Sequence, residues 1–82
     1  VNTNIIKAIS SETRINILLQ IEKGGMCACK IPPLVRKTQP AVSQHLSILR
    51  KAGLLKSKRD GVKITYSLTK KGKHVLNDIK RW

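Results

Sequence analysis

Thr38-Gln39-Pro40-Ala41-Val42-Ser43-Gln44-His45-Leu46-Ser47-Ile48-Leu49-Arg50-Lys51-Ala52-Gly53 reads as a complete helix with both ends marked. Thr38 is a hydroxyl N-cap, and Pro40 fits the first turn, where a missing N–H costs little. Gly53 stands where a left-handed residue closes a helix C-terminus. Val42, His45, Leu46, Leu49 and Ala52 recur at helical spacing as an inward stripe, with Ile48 on its edge. The opposite face carries Gln39, Ser43, Gln44, Ser47 and Lys51. Glu and Lys would be the usual occupants of a solvated face. Ser and Gln instead offer donors and acceptors together, which is what reading base edges requires.

Upstream, Met26-Cys27-Ala28-Cys29-Lys30-Ile31-Pro32-Pro33-Leu34-Val35-Arg36-Lys37 predicts a short helix starting near Ile31 or Pro32, because paired prolines fit only a first turn. The cysteines then fall on a loop or strand just before it. Further back, Ser10-Ser11-Glu12 caps a helix that presents Ile15, Leu18, Leu19 and Glu22 at helical spacing and stops at Gly24-Gly25. A first short helix precedes it, with Ile5, Ile6 and Ile9 on one side.

Downstream of Leu54 the period changes to two. Leu55 to Arg59 and Val62 to Leu68 alternate on either side of Asp60-Gly61, which predicts a hairpin closed by a type I′ turn. Lys58, Arg59 and Lys63 flank its tip. Thr69 caps a last helix, Lys70 to about Arg81, whose apolar side is Val75, Leu76, Ile79 and Trp82.

Seventeen Lys and Arg against four Asp and Glu give a net charge of +13. Such a balance, with a pI near 10.5, is the footprint of a nucleic-acid binder, since a lysine-rich solubilising surface normally carries matching Glu. Tyr66 and Trp82 are the only aromatics, which argues against a base-stacking single-strand binder. No apolar run approaches the ~18 residues needed to span a bilayer and no signal peptide is visible, so a cytoplasmic chain without membrane partners is expected. Opening on Val1 fits removal of an initiator Met or a longer leader. A domain of 82 residues buries only about 60% of its unfolded surface, so residues 1–82 are expected to form a single domain that a second subunit would help to stabilise. No nucleophile–base pair, phosphate-cradling glycine loop or carboxylate dyad is present, so catalysis is not expected.

A short helix, a tight turn, a capped helix with a polar outer face and then a basic hairpin make a winged helix-turn-helix. The expected fold class is mainly α with a small β-hairpin: about five helices plus a two-stranded wing. The second helix of such a pair enters the major groove, and the wing follows the backbone or the adjacent minor groove. Thr38, Gln39, Ser43, Gln44, Ser47, Lys58, Arg59 and Lys63 are the expected DNA-binding residues, with Thr38 chiefly a cap.

The run Met26-Cys27-Ala28-Cys29 followed by Gln39-Pro40-Ala41-Val42-Ser43-Gln44-His45-Leu46 resembles the ArsR/SmtB family of winged-helix transcriptional repressors. Ser11-Glu12-Thr13-Arg14, Leu49-Arg50-Lys51-Ala52-Gly53-Leu54 and the wing Lys58-Arg59-Asp60-Gly61 through Tyr66-Ser67-Leu68 extend the likeness over nearly the whole chain. The resemblance implies a homodimer built from the first and last helices, a double-stranded operator with twofold symmetry, and an effector that releases the DNA. It also implies that Cys27 and Cys29 offer thiolates to a soft ion such as arsenite, cadmium, lead or zinc. Two readings of the pair stay open: a thiol sensor, or two small half-buried residues without a metal. The paired prolines depart from the family pattern, and no third Cys exists to complete a site. His74 and Asp78 read as an ordinary i,i+4 pair rather than a zinc half-site. The competing functions are a winged-helix regulator, or an architectural or interaction module, with no metal sensing.

Overall fold

Three helices begin on a hydroxyl that takes up an otherwise free N–H, in a computed structural model that describes residues 3–81. Ser11 accepts from the Arg14 amide at 3.3 Å and opens α2, Glu12–Glu22. Thr38 accepts from Ala41 at 3.3 Å and opens α4, Gln39–Lys51; Thr69 accepts from Gly72 at 3.0 Å and opens α5, Lys70–Lys80. Before α2 lies α1, Thr3–Ile9, and before α4 lies the short α3, Ile31–Val35, with its prolines in the first turn as expected. A single 3-10 turn, Ala28–Lys30, leads into α3.

The helix α4 ends as its glycine requires. Gly53 adopts φ +83, its N–H bonds to Arg50 and the Leu54 N–H reaches back to Leu49, both at 3.0 Å. This is the doubly bonded left-handed termination, with Leu49 and Leu54 both buried beside it. The chain then enters β2, Leu55–Asp60, and returns through β3, Lys63–Leu68.

Two details of this hairpin depart from expectation. Asp60 pairs with Lys63, so the loop is Gly61-Val62 and not Asp60-Gly61. Gly61 has φ +64 while Val62 stays at negative φ, the pattern of a type II′ turn. A β-branched residue resists positive φ, so Val62 fills the second loop position only in a turn that leaves it there at negative φ. The second departure is a third strand: β1, Met26–Cys27, pairs antiparallel with β3, Met26 opposite Tyr66 and Cys27 opposite Thr65, giving the order β1-β3-β2. A two-residue strand carries no periodicity of its own, and its partner lies some forty residues away.

The core is wholly aliphatic. From α2 come Ile17, Leu18 and Ile21; from α4 Val42, Leu46 and Leu49; from α1, α3 and α5 Ala8, Ile31 and Leu76; and Leu54, Leu55 and Leu68 close it from the root of the hairpin. The stripe on α2 is rotated by one residue from the expected one. Ile15 and Leu19 are only half-buried, and the inward row is Arg14, Ile17, Leu18, Ile21. Both rows have the i, i+3, i+4, i+7 spacing, and a helix apolar on more than one face does not choose between them. On α5, Leu76 is buried while Val75 and Ile79 are half-covered; Trp82, expected to join them, lies outside the described residues.

Gly72 is buried where α5 meets the exit of α4, and a Cβ there would collide with the Leu54 carbonyl and its carbon skeleton. Ala is favoured over Gly by about 1 kcal/mol inside a helix. Here the collision with rigid backbone outweighs it, and Gly72→Ala is expected to lower stability by about 1–3 kcal/mol in urea unfolding. A more stable Gly72→Ala protein would mean that α5 can retreat freely from Leu54.

Candidate nucleic-acid interface

The segment from Lys23 to Arg59 contains nine Lys or Arg and no carboxylate, and it spans α3, the turn, α4 and β2. Gln39, Ser43 and Gln44 are exposed on the first half of α4, as is Thr38 at its cap. Ser47, one turn further along, is partly covered, and Lys51 is exposed. The N-terminal half of α4 therefore presents amide and hydroxyl groups to solvent, while Val42, Leu46 and Leu49 hold its other side in the core. With Ala41 and Val42 bonded to Thr38 and Pro40 lacking an N–H, the helix N-terminus adds the Gln39 N–H and the positive end of its dipole.

Arg36 links α3 to α4 in the left-handed conformation, φ 57 and ψ 42, the one non-glycine residue with positive φ among those described. Helix-turn-helix connections often place a glycine in this turn. An arginine here keeps an exposed cation beside the start of α4 at a backbone cost of roughly 1–2 kcal/mol.

On the hairpin, paired residues share a face. Lys58 lies opposite Thr65, and Lys63 opposite Asp60, on one face; Arg59 lies opposite Ile64 on the other. The pleat therefore separates the three expected wing cations, with Lys58 and Lys63 on the side of Cys27 and Arg59 on the side of Tyr66. All three are exposed, and Val62 is fully exposed at the tip.

The two cysteines face the same region. A cleft of about 300 Å³ is lined by Cys27, Ala28 and Cys29 together with Gln39 of α4 and Val62, Lys63 and Ile64 of the wing. Both cysteines are free, and the Cys27 sulfur accepts from the Cys29 N–H at 3.4 Å. Hydrogen bonding from the Cys29 thiol, then from its N–H, and the charges of Lys63 and Lys30 hold the Cys27 thiol below its ordinary pKa. The same thiol–thiol bond raises Cys29. One sulfur is thus disposed to be a thiolate and its neighbour to stay protonated. To bind a soft ion with both sulfurs, the Cys29 thiol would have to lose the proton that the pair holds. Among the described residues no group of three or more His, Cys, Asp or Glu gathers here or elsewhere.

His45 lies on the flank of the α4 stripe, half-buried, with Nδ1 3.1 Å from the Arg14 guanidinium. Burial lowers its pKa below 6.5, and the charges of Arg14 and Lys37 lower it further. His45 is half-buried at the edge of the core and not within it, and Arg14 as its partner was not legible from the sequence. The available signal was a charged residue at i−3 and i−4 to Ile17 and Leu18, visible once the α2 stripe is set in its true phase. On α5, His74 and Asp78 are exposed, and the ion pair formed there is Lys80 with Glu22 of α2, at 2.6 Å.

The helix pair, the exposed polar face of its second helix and the cationic wing define a winged helix-turn-helix DNA-binding domain of a transcriptional regulator. Residues 11–57 match the family model described as bacterial regulatory protein, arsR family, and the chain belongs to that family. Members of this family are transcriptional regulators, not enzymes. The HTH-type transcriptional regulator MJ1325 of Methanocaldococcus jannaschii is 48% identical over 58 residues, 70% of this chain and 65% of that one. The arsenical resistance operon repressor of Escherichia coli is 35% identical over 66 residues, 79% of this chain and 56% of that one. The chain thus spans less than two thirds of the length of these two relatives. Transcriptional repressor SdpR of Bacillus subtilis is 38% identical over 79 residues, 96% of this chain and 84% of that one. Among solved structures, NolR of Sinorhizobium fredii matches with a TM-score of 0.86 at 29% identity, over 96% of this chain and 80% of that one. The DNA-binding domain of Mb0332 from Mycobacterium bovis, described as homodimeric, shares the fold with a TM-score of 0.88 at 19% identity, over 95% and 73% of the two chains.

The strained turn can be checked directly. Arg36→Gly removes the Cβ clash of the left-handed conformation, partly offset by the greater freedom glycine has in the unfolded chain. It is expected to raise stability by up to about 1 kcal/mol in denaturant unfolding. A loss of stability would show that Arg36 makes a compensating interaction through its side chain.

Proposed function

We propose that residues 1–82 form a single winged-helix domain of a cytoplasmic repressor that binds a double-stranded operator as a homodimer. The observation that carries this reading is the exposed Gln39, Ser43 and Gln44 face of α4, set in an acid-free, cation-rich segment. Gln39, Ser43 and Gln44 read base edges in the major groove; Ser47, partly covered, contacts DNA only at the margin. Thr38 caps the helix by accepting from the Ala41 N–H, which leaves the Gln39 N–H at the N-terminus for a phosphate. Lys58 and Lys63 on one face of the wing and Arg59 on the other let the hairpin reach phosphates on both sides as it lies along the DNA. No helix among the described residues is long and apolar enough to cross a membrane.

For the dimer, α1 and α5 supply apolar groups that their own subunit leaves uncovered: Ile6 is 53% exposed, and Val75 and Ile79 are half-covered. Leu76, by contrast, belongs to the subunit's own core. Pairing these faces would space two α4 helices about one turn of DNA, ~34–36 Å, apart. Mb0332, which shares the fold, is described as homodimeric, in keeping with a dimer here.

The DNA reading predicts that Ser43→Ala/Gln44→Ala erases preference between duplexes while leaving non-specific affinity. Lys58→Ala/Arg59→Ala weakens all duplexes alike and flattens the log–log salt dependence by about 0.9 per lost phosphate contact. Binding to a duplex selected from a random pool, measured over a salt series, separates the two. Equal loss of both kinds of binding from the α4 change would point to a domain that coats DNA without reading it.

The thiol pair is the proposed effector site, with Cys27 and Cys29 binding arsenite, cadmium or zinc and the remaining positions filled by water or a small thiol. The name of the arsenical resistance relative supports this reading. The cleft puts the sulfurs beside Gln39 and Lys63, so an ion there sits between the two DNA-contacting elements. By linkage, ion and DNA weaken each other by the same factor, about 1–3 kcal/mol. Arsenite, cadmium and zinc titrated into the DNA complex should release DNA from the wild type and not from Cys27→Ser/Cys29→Ser. Identical DNA affinities throughout would leave the pair without an effector role.

A further inference from the structure

Arg14 joins three helices through one guanidinium. Its Nε donates to the Ala8 carbonyl at 2.9 Å and one Nη to the Lys7 carbonyl at 3.0 Å, two acceptors in the last turn of α1. The Lys7 carbonyl also accepts from the Ser10 hydroxyl at 2.8 Å, and the two Arg14 bonds fix the end of α1 to α2. The other Nη lies 3.1 Å from His45 Nδ1 on α4, the residue that follows Gln44. A guanidinium has only donors and keeps its proton at any ordinary pH. The bond therefore requires a lone pair on Nδ1, with the ring proton on Nε2 and the imidazole neutral.

We propose that Arg14 and His45 are positioning residues for DNA reading: their bond sets the pose of α4 on α1 and α2, and protonation of the ring releases it. This rests on the reading of α4 as the helix that reads base edges. A protonated His45 would turn a donor toward the guanidinium fork and add a like charge beside it. The charges acting on the ring are Arg14 from α2 and Lys37 from the α3–α4 connection, both positive, and no carboxylate is among them. From α1, the Lys7 and Ala8 carbonyls face Arg14 and are already engaged by it.

The sign is determined by this environment. Burial, then Arg14, then Lys37 hold the ring's pKa below 6.5, so above 6.5 the ring is neutral and the latch is closed. As pH falls below 6.5 an unfolded chain takes up the proton before the native one does, so the native latch loses stability there and opens as its own, lower pKa is passed. Acid meanwhile adds positive charge, which strengthens or preserves non-specific DNA binding. The ratio of specific to non-specific affinity therefore isolates the latch from bulk charge.

The test uses a duplex enriched by the chain from a random-sequence pool at about pH 7.5 and a scrambled duplex of the same composition. A His74→Gln background removes the other histidine. The specific-to-non-specific ratio is expected to fall progressively as pH is lowered from about 7.5 through the acid range below 6.5 in which the chain stays folded. His45→Asn places an amide oxygen near the position of Nδ1 and does not titrate, so it should keep the ratio of the neutral parent and hold it flat through the acid range. His45→Leu, with no acceptor, should discriminate poorly at every pH. Because His45→Leu can also lose binding by unfolding, the comparison of the parent with His45→Asn is the deciding one. A flat parent profile, or a decline that His45→Asn shares, overturns the latch while the enriched duplex still upholds the DNA reading. Failure to enrich any duplex overturns both.

Discussion

A Cβ on residue 72 would overlap the carbonyl group of Leu54, so the approach of α5 to the end of α4 depends on glycine at that position. The junction built there ties three elements together. The Leu54 carbonyl accepts from the Thr69 N–H at 3.1 Å, and the Thr69 hydroxyl donates to the Gly53 carbonyl at 2.6 Å while capping α5. Gly53 and Leu54 are also the residues that terminate α4 and lead into β2. The angle between the α4 face and the wing is thus set by a few backbone bonds around Leu54. The wing carries few buried residues of its own and relies on this root: Leu55 and Leu68 are buried, while every β2 residue beyond Leu55 is exposed.

Nearer the middle of α4, Arg14 holds the helix against α1 and α2. The two fixings differ in kind. The Leu54 junction is made of groups that do not titrate, whereas the Arg14–His45 bond joins a permanent cation to a ring that does. A net charge of +13 on a small aliphatic core leaves little internal compensation. The Lys80–Glu22 pair is exposed, and such pairs contribute about 0–1 kcal/mol. The cations of the α3–α4 connection, α4 and the wing are therefore placed for a polyanion rather than for each other.

The thiols occupy the seam between α4 and the wing. Cys27 belongs to the sheet and Cys29 to the 3-10 turn, so one residue of separation spans two structural contexts. Their opposite pKa shifts follow from sharing one hydrogen bond: the acceptor sulfur is stabilised as a thiolate and the donor as a thiol. Whatever binds both sulfurs has Gln39 and Lys63 as neighbours in the same cleft.

Local chemistry determined what the sequence alone could show. A hydroxyl cap, a proline in the first turn and a glycine past the last act within one turn of helix, so α4, α5 and the start of α3 were legible, with the polar face of α4. Two-residue alternation announced the hairpin. Where long-range partners choose between local equivalents, only the tertiary structure decided. The two apolar rows of α2 have the same spacing, and the surrounding helices and sheet selected Arg14-Ile17-Leu18-Ile21. The turn moved by one residue because pairing of the whole ladder, from Leu55 with Leu68 to Asp60 with Lys63, sets a register that a dipeptide cannot. The strand β1, the bond between Arg14 and His45, and the cleft joining cysteines to Gln39 and Lys63 exist only once distant segments meet. No periodicity within any one segment encodes them.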